Sequence, residues 1–175
     1  YKQIKKDCKS NYYIWWTKGL ELLMNNYDII NEIEIYNEKK QWREQVISEF
    51  FLYYKQYGLA KKNILNQKTL IKRIQSFQKT IKIGNNNFQV GSLEICILEC
   101  LYYKDQISSH QNDLIKKVIK KFKDQWNRNL MKIIISSWRH HTSINRLYKM
   151  SKLVDEKFAN SCLEVIRTYG FKMSL

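Results

Sequence analysis

The chain has 175 residues, a formal net charge of +15, 44% hydrophobic residues and 14% aromatic residues. So many apolar and aromatic side chains exclude a disordered basic tail, and they suffice for the core of one domain or of two small ones. No apolar run approaches the roughly 18 residues that a membrane-spanning helix needs. Proline is absent and only five glycines occur, so a mainly α-helical fold is favoured.

The first part of the chain predicts three helices. Residues 11–26 carry an apolar stripe with helical spacing, and apolar residues recur every three or four positions in residues 39–57. Gly58 suits the left-handed residue that ends a helix, so 39–57 is the clearest helix of the sequence. Asn66 can cap a third helix, whose apolar residues extend to Phe77.

A β-hairpin is predicted next. Residues 81–83 and 88–90 alternate apolar and polar side chains, and the Gly-Asn-Asn-Asn sequence between them is typical of a turn. Ser92 can cap the following helix, which runs to about residue 103. The polar residues 108–112 then separate this part of the chain from the rest.

An amphipathic helix is predicted for residues 113–126, with apolar side chains on one side and lysines on the other. The outward-facing lysines are Lys116, Lys117, Lys120, Lys121 and Lys123. Residues 130–138 form a helix or a buried strand, because their run of three isoleucines fits both. A short helix follows at 144–150.

Asp155 begins the last predicted helix, which ends at Gly170, and residues 171–175 alternate like a short strand. We therefore predict two domains. Residues 1–105 form a first winged-helix-like unit with an N-terminal helical extension, and residues 106–175 form a second such unit. The predicted fold class is mainly α with small β-hairpins, in two winged-helix (helix-turn-helix-like) units in tandem.

Basic residues without acidic neighbours mark the candidate binding site. No aspartate or glutamate occurs from residue 50 to residue 93, whereas the segment before it is acidic. Such a concentration of charge attracts nucleic-acid phosphates or acidic protein surfaces. The eight bases of this stretch are Lys55, Lys61, Lys62, Lys68, Lys72, Arg73, Lys79 and Lys82.

Catalytic and metal-binding motifs are missing from the sequence. It contains no Walker-type loop, HExxH or GxSxG motif and no CxxC pair. The adjacent His140 and His141 diverge on a helix and are interpreted as surface residues, and the four cysteines are interpreted as buried reduced thiols. We therefore predict no enzyme, no catalytic residue, no metal and no cofactor.

The predicted helix and hairpin at 66–90 and the helix, glycine and strand at 154–175 resemble the C-terminal tandem winged-helix region of the Stn-type subunit of the telomeric CST complex. The asparagine, lysine and glutamine bias is similar to that of ciliate telomerase holoenzyme proteins. Because the sequence starts at Tyr1 without a methionine, we interpret it as a fragment of a longer protein.

The resemblance implies a non-catalytic module in the nucleus, at the telomere, that docks protein subunits of a larger complex such as DNA polymerase α–primase. Weak contact with telomeric single-stranded DNA or another nucleic acid is also expected, but no membrane or small-molecule substrate. Two alternatives stay open. One is a basic DNA-binding subunit of a chromatin or DNA-modifying complex, and the other is a structural subunit whose basic face is covered by a partner.

Overall fold

The computed structural model describes residues 2–8, 12–25, 32–37, 43–47, 50–56, 77–102, 109–138 and 140–172. Within these ranges the chain is mainly helical, with seven helices and one six-stranded sheet. The chain divides into two compact units, Tyr1–Ser92 and Leu93–Leu175. The predicted boundary lay at 105/106, whereas in this division the helix that follows Ser92 belongs to the second unit.

The first unit is built on a mixed sheet. Its elements in chain order are α1 (Lys2–Cys8), β1 (Tyr12–Ile14), α2 (Trp16–Met24), β2 (Glu32–Asn37), β3 (Arg43–Ile47), β4 (Phe50–Gln56), β5 (Gln78–Ile83) and β6 (Asn86–Gly91). The strand order is β3-β4-β2-β1-β6-β5. Strand β1 pairs parallel with β6 and β2 pairs parallel with β4, whereas the other three pairings are antiparallel.

The core of the first unit lies where the two helices meet the sheet. Its buried residues are Ile4, Cys8, Tyr12, Ile14, Leu22, Ile35, Leu52 and Val90. Helix α2 packs on β2 and β6, the strands on either side of β1. It ends at Asn25, whose left-handed backbone (φ 55°) lets its N–H donate to the carbonyls of Glu21 and Leu22.

The prediction of a helix at 39–57 is wrong, because this segment contains β3 and β4. Strand β4 lies between β3 and β2, so both of its edges are paired. Interior strands carry long apolar runs without clear alternation, and such runs also match a helical period. The sheet is consequently larger than the small hairpins that the sequence predicted. The predicted helix after Asn66 lies outside the described residues.

The predicted hairpin is confirmed as β5 and β6. Ile83 pairs with Asn86, so the turn contains only Gly84 and Asn85. Gly84 has φ 56°, the left-handed conformation that a two-residue hairpin turn of type II′ needs at its first position. The turn is therefore shorter than the predicted polar run, and the first asparagine after Asn85 already belongs to β6.

The second unit consists of helices only, within the residues that the structure describes. They are α3 (Leu93–Tyr102), α4 (Ser109–Phe122), α5 (Arg128–Trp138), α6 (His141–Lys152) and α7 (Glu156–Thr168). Helix α3 is buried from Glu94 to Leu101 and packs against α5 and α6, while α6 packs on α7. Arg146 of α6 donates to the carbonyls of Leu101 (2.6 Å) and Tyr102 (3.1 Å), which satisfies the end of α3.

Most helices predicted for the second unit are confirmed. The ambiguous segment 130–138 lies in a helix, α5, and α7 begins after Asp155, whose side chain accepts a hydrogen bond from the Phe158 N–H at 2.8 Å. Gly170 closes α7 with φ 62°. The strand predicted at 171–175 is not present at Phe171 or Lys172, and the three residues after Lys172 lie outside the described ranges.

Candidate nucleic-acid interface

Three of the eight bases predicted as the binding site lie among the described residues. Lys55 lies in β4, and the structure describes its backbone position only. Lys79 and Lys82 are exposed on β5. The remaining five lie outside the described residues, so their part in the prediction stays a prediction. These five are Lys61, Lys62, Lys68, Lys72 and Arg73.

Lys79 and Lys82 lie on the strand at one edge of the sheet. Because side chains alternate along a strand, residues three positions apart point to opposite faces. These two lysines therefore do not form one positive patch. Charged residues on an edge strand discourage pairing with the sheet of another molecule, and this role explains both positions.

A row of exposed lysines lies on α4 and the residue just after it. We call it the α4 lysine face, and its members are Lys116, Lys117, Lys120, Lys121 and Lys123. All five side chains are exposed, whereas the opposite side of the helix buries Leu114, Ile115, Val118 and Ile119. Spacings of three and four residues place the lysines next to one another along the helix.

Two members of the face form ion pairs. Lys116 Nζ lies 3.2 Å from Asp113 Oδ1, and Lys123 Nζ donates to Asp155 Oδ2 at 2.9 Å. The hydrogen bond and the charge of Asp155 raise the pKa of Lys123. The same hydrogen bond and that from the Phe158 N–H lower the pKa of Asp155. This carboxylate therefore stabilises the unit at neutral pH, and its contribution is lost as the pH falls through its lowered pKa.

Lys117 and Lys120 form no salt bridge with any residue that the structure describes. Like charges three or four residues apart on a helix destabilise it by about 0.2–0.5 kcal/mol per pair. Burial of the apolar side of α4 offsets this cost, so the helix forms despite the repulsion between its lysines. An anionic partner would relieve repulsion of this kind.

A pocket lies at the end of α4, next to Lys123. We call it the α5–α7 pocket, because the beginnings of those two helices line most of it, and its volume is about 190 Å³. Its apolar wall consists of Met131, Phe158, Cys162 and Val165. Its charged lining consists of Lys123, Asp124, Arg128, Asp155 and Lys157.

Trp126 completes the pocket and packs on Phe158 with ring centroids 4.6 Å apart. Its indole nitrogen is buried, and no acceptor among the described residues bonds to it. Arg128, which also lines the pocket, donates to Glu164 (3.1 Å) and to Ser161 (2.8 Å). The aromatic pair and these polar contacts hold the beginnings of α5 and α7 in a defined arrangement.

The thiol of Cys162 is expected to be inert in the native protein. Burial raises its pKa to about 12, so its thiolate fraction at pH 8 is on the order of 10⁻⁴. Burial, followed by the charges of Glu99 and Glu94, also raises the pKa of Cys96. Iodoacetamide at pH 8 should therefore modify neither cysteine in the folded chain and both in urea, as mass spectrometry of digests would measure. Rapid modification of native Cys162 would contradict this burial.

A second polar cluster is enclosed by the helices of the second unit. His140 Nε2 lies 3.2 Å from Glu99 Oε1, and His140 Nδ1 lies 3.1 Å from Ser143 Oγ. The prediction that His140 is a surface residue is wrong, because it is 2% exposed, whereas His141 is exposed as predicted. The order of serine, histidine and carboxylate resembles a nucleophilic triad, but Ser143 is completely buried and no substrate can reach it.

Neither metal binding nor membrane insertion receives support from the described ranges. No group of three or more histidine, cysteine, aspartate or glutamate side chains within them could hold a metal ion. No helix in the same ranges has the length and apolar character needed to cross a bilayer. No protein-family model matches the chain, and the comparison with curated proteins gave no match either.

Proposed function

We propose that the chain is a non-catalytic docking module of a larger complex, and that the α4 lysine face contacts the phosphate backbone of a nucleic acid. The observation that carries this proposal is the row of five exposed lysines on one face, of which Lys117 and Lys120 have no carboxylate partner among the described residues. A phosphate backbone supplies the missing negative charge along the whole length of the face.

The residue type indicates what kind of contact is made. Lysine presents a flexible point charge, whereas bidentate recognition of base edges or phosphates favours the planar guanidinium of arginine. All five members of the face are lysines. The expected binding is therefore independent of sequence and strongly dependent on salt.

Salt dependence tests this proposal. We expect the double variant Lys117→Gln, Lys120→Gln to bind a fluorescein-labelled DNA duplex more weakly, whatever its sequence. The plot of log affinity against log salt concentration has a negative slope, and each lost phosphate contact reduces its magnitude by about 0.9. The slope of the double variant should therefore be shallower by about 1.8. Fluorescence anisotropy titrations at salt concentrations between about 50 and 200 mM would measure both effects.

The matched control is the double variant Lys149→Gln, Lys152→Gln. These two lysines are exposed, and they have the same three-residue spacing on α6. Both variants lose the same net charge, so a loss of affinity confined to the Lys117 and Lys120 variant assigns binding to the α4 lysine face. Equal slopes for the two variants would reject that assignment and leave only a general effect of charge.

A telomere-maintenance role with protein docking is the second candidate, and helices α6 and α7 favour it. Three residues, Leu153, Val154 and Asp155, join the two helices, as in a helix-turn-helix. The exposed residues of α7 mix acids and bases, which suits a protein surface better than a DNA groove. The exposed positions of mixed charge are Glu156, Lys157, Glu164 and Arg167.

This second candidate extends the resemblance to the Stn-type subunit of the CST complex, with α6 and α7 of the second unit as its helix-turn-helix part. The six-stranded sheet of the first unit departs from the tandem winged-helix pattern, so the resemblance rests on α6 and α7. Purification of the tagged protein together with DNA polymerase α–primase from nuclear extract would support the role. Recovery of a stable complex without the polymerase would count against it.

A further inference from the structure

We propose that the α5–α7 pocket is a docking site for an acidic peptide segment of a partner protein, which inserts one apolar side chain into it. Lys123 belongs both to the pocket and to the α4 lysine face, whereas Lys117 and Lys120, which carry the nucleic-acid proposal, do not line the pocket. The proposal rests on the size of the cavity, the nature of its wall and the charge at its opening.

The size of the cavity limits what it can hold. Pockets that enclose a whole small-molecule ligand usually measure about 300–1,000 Å³. The α5–α7 pocket has about 190 Å³, which is enough for one large side chain or one nucleobase. A complete cofactor does not fit, and the ligand must therefore be one group that projects from a larger molecule.

The wall favours a side chain over a base. Met131, Phe158, Cys162 and Val165 line the cavity with aliphatic, sulfur and ring atoms. A base needs an open aromatic face on which to stack. The Phe158 ring is only 4% exposed and packs against Trp126, so it offers no such face.

The charge at the opening specifies the neighbours of the inserted side chain. Three bases and two acids line the pocket, which leaves an excess of positive charge. Lys157 is exposed and forms no salt bridge with a described residue. Lys123 and Arg128 are held by carboxylates in exposed ion pairs, which are weak enough to exchange for an incoming carboxylate. An acidic residue next to the apolar anchor satisfies these groups.

Three blocked tripeptides test the proposal on the 175-residue chain. The probe is acetyl-Asp-Leu-Asp-amide, and its controls lack the anchor (acetyl-Asp-Ala-Asp-amide) or reverse the charge (acetyl-Lys-Leu-Lys-amide). The readout is the indole N–H resonance of Trp126, which is assigned by its loss in Trp126→Phe. We expect only the first peptide to give a saturable shift. No shift with it, or equal shifts with all three, would overturn the proposal.

A charge reversal with a matched control locates the contact. Lys157→Glu should weaken binding of acetyl-Asp-Leu-Asp-amide by about three- to tenfold, because a weak exposed ion pair becomes a repulsion. Lys149→Glu carries the same charge change away from the pocket and should leave the affinity within about twofold. Equal losses in both variants would reject the site. If adenosine monophosphate shifted the Trp126 indole N–H resonance at a lower concentration than the peptide does, the pocket would be assigned to a nucleotide instead.

Discussion

Replacing His140 by phenylalanine is expected to lower the free energy of unfolding by about 1–3 kcal/mol, the usual cost of leaving a buried polar group without its partner. His140 is the ring that faces the Glu99 carboxylate at 3.2 Å, and both residues are buried. The variant keeps an aromatic ring in the same place but leaves a buried carboxylate without its partner. Urea denaturation followed by tryptophan fluorescence would measure the loss.

A double variant separates the lost polar partner from altered packing. Glu99→Leu together with His140→Phe replaces the polar pair by apolar groups, which is often nearly neutral for a buried pair, so most of the lost stability should return. His141→Phe is the control at the neighbouring exposed ring and should change the stability by less than about 0.5 kcal/mol. A loss below about 1 kcal/mol in His140→Phe would mean that the two groups are not coupled.

The second unit was the more predictable part of the fold. Helices α4 to α7 are amphipathic, and the ends of α7 carry local signals that act without distant contacts. Asp155 accepts the hydrogen bond that starts α7, and Gly170 adopts the left-handed conformation that ends it. Such signals involve residues within one turn of each other, so a sequence pattern contains all the information needed.

The sheet of the first unit could not be predicted from local sequence signals. Strand β4 pairs with β2, which lies earlier in the chain, and with β3, and neither pairing leaves a local mark in the sequence. The aromatic and apolar residues of 50–56 satisfy a helical period by chance, and tertiary pairing overrides it. The short hairpin at β5 and β6 was predictable because Gly84 specifies its turn.

The candidate sites, like the fold, were predictable from the sequence only in part. The outward lysines of α4 were visible as one side of an amphipathic pattern, although the larger basic stretch at 55–82 was preferred as the binding site. The burial of His140 was missed because two adjacent histidines suggest a surface. The signal was Glu99, an acid within the otherwise apolar residues 95–101 of α3, since a carboxylate in that position needs a buried partner.

Replacing Phe158 by alanine is the other substitution with a large expected effect, a loss of about 3–5 kcal/mol in the free energy of unfolding. The ring packs on Trp126 and forms the wall of the α5–α7 pocket, so its removal joins a new cavity to an existing one. The two helix starts that meet there then lose their shared apolar contact. Thermal and urea denaturation would measure the change.

Two further variants distinguish this packing role from a general weakness of α7. Phe158→Leu keeps most of the apolar volume and should cost no more than about 1.5 kcal/mol. Asn160→Ala changes an exposed residue of the same helix and should cost less than about 0.5 kcal/mol. If Phe158→Ala were as stable as Asn160→Ala, the ring would not hold the starts of α5 and α7 together. The pocket would then lack the rigid wall that insertion of an apolar side chain requires.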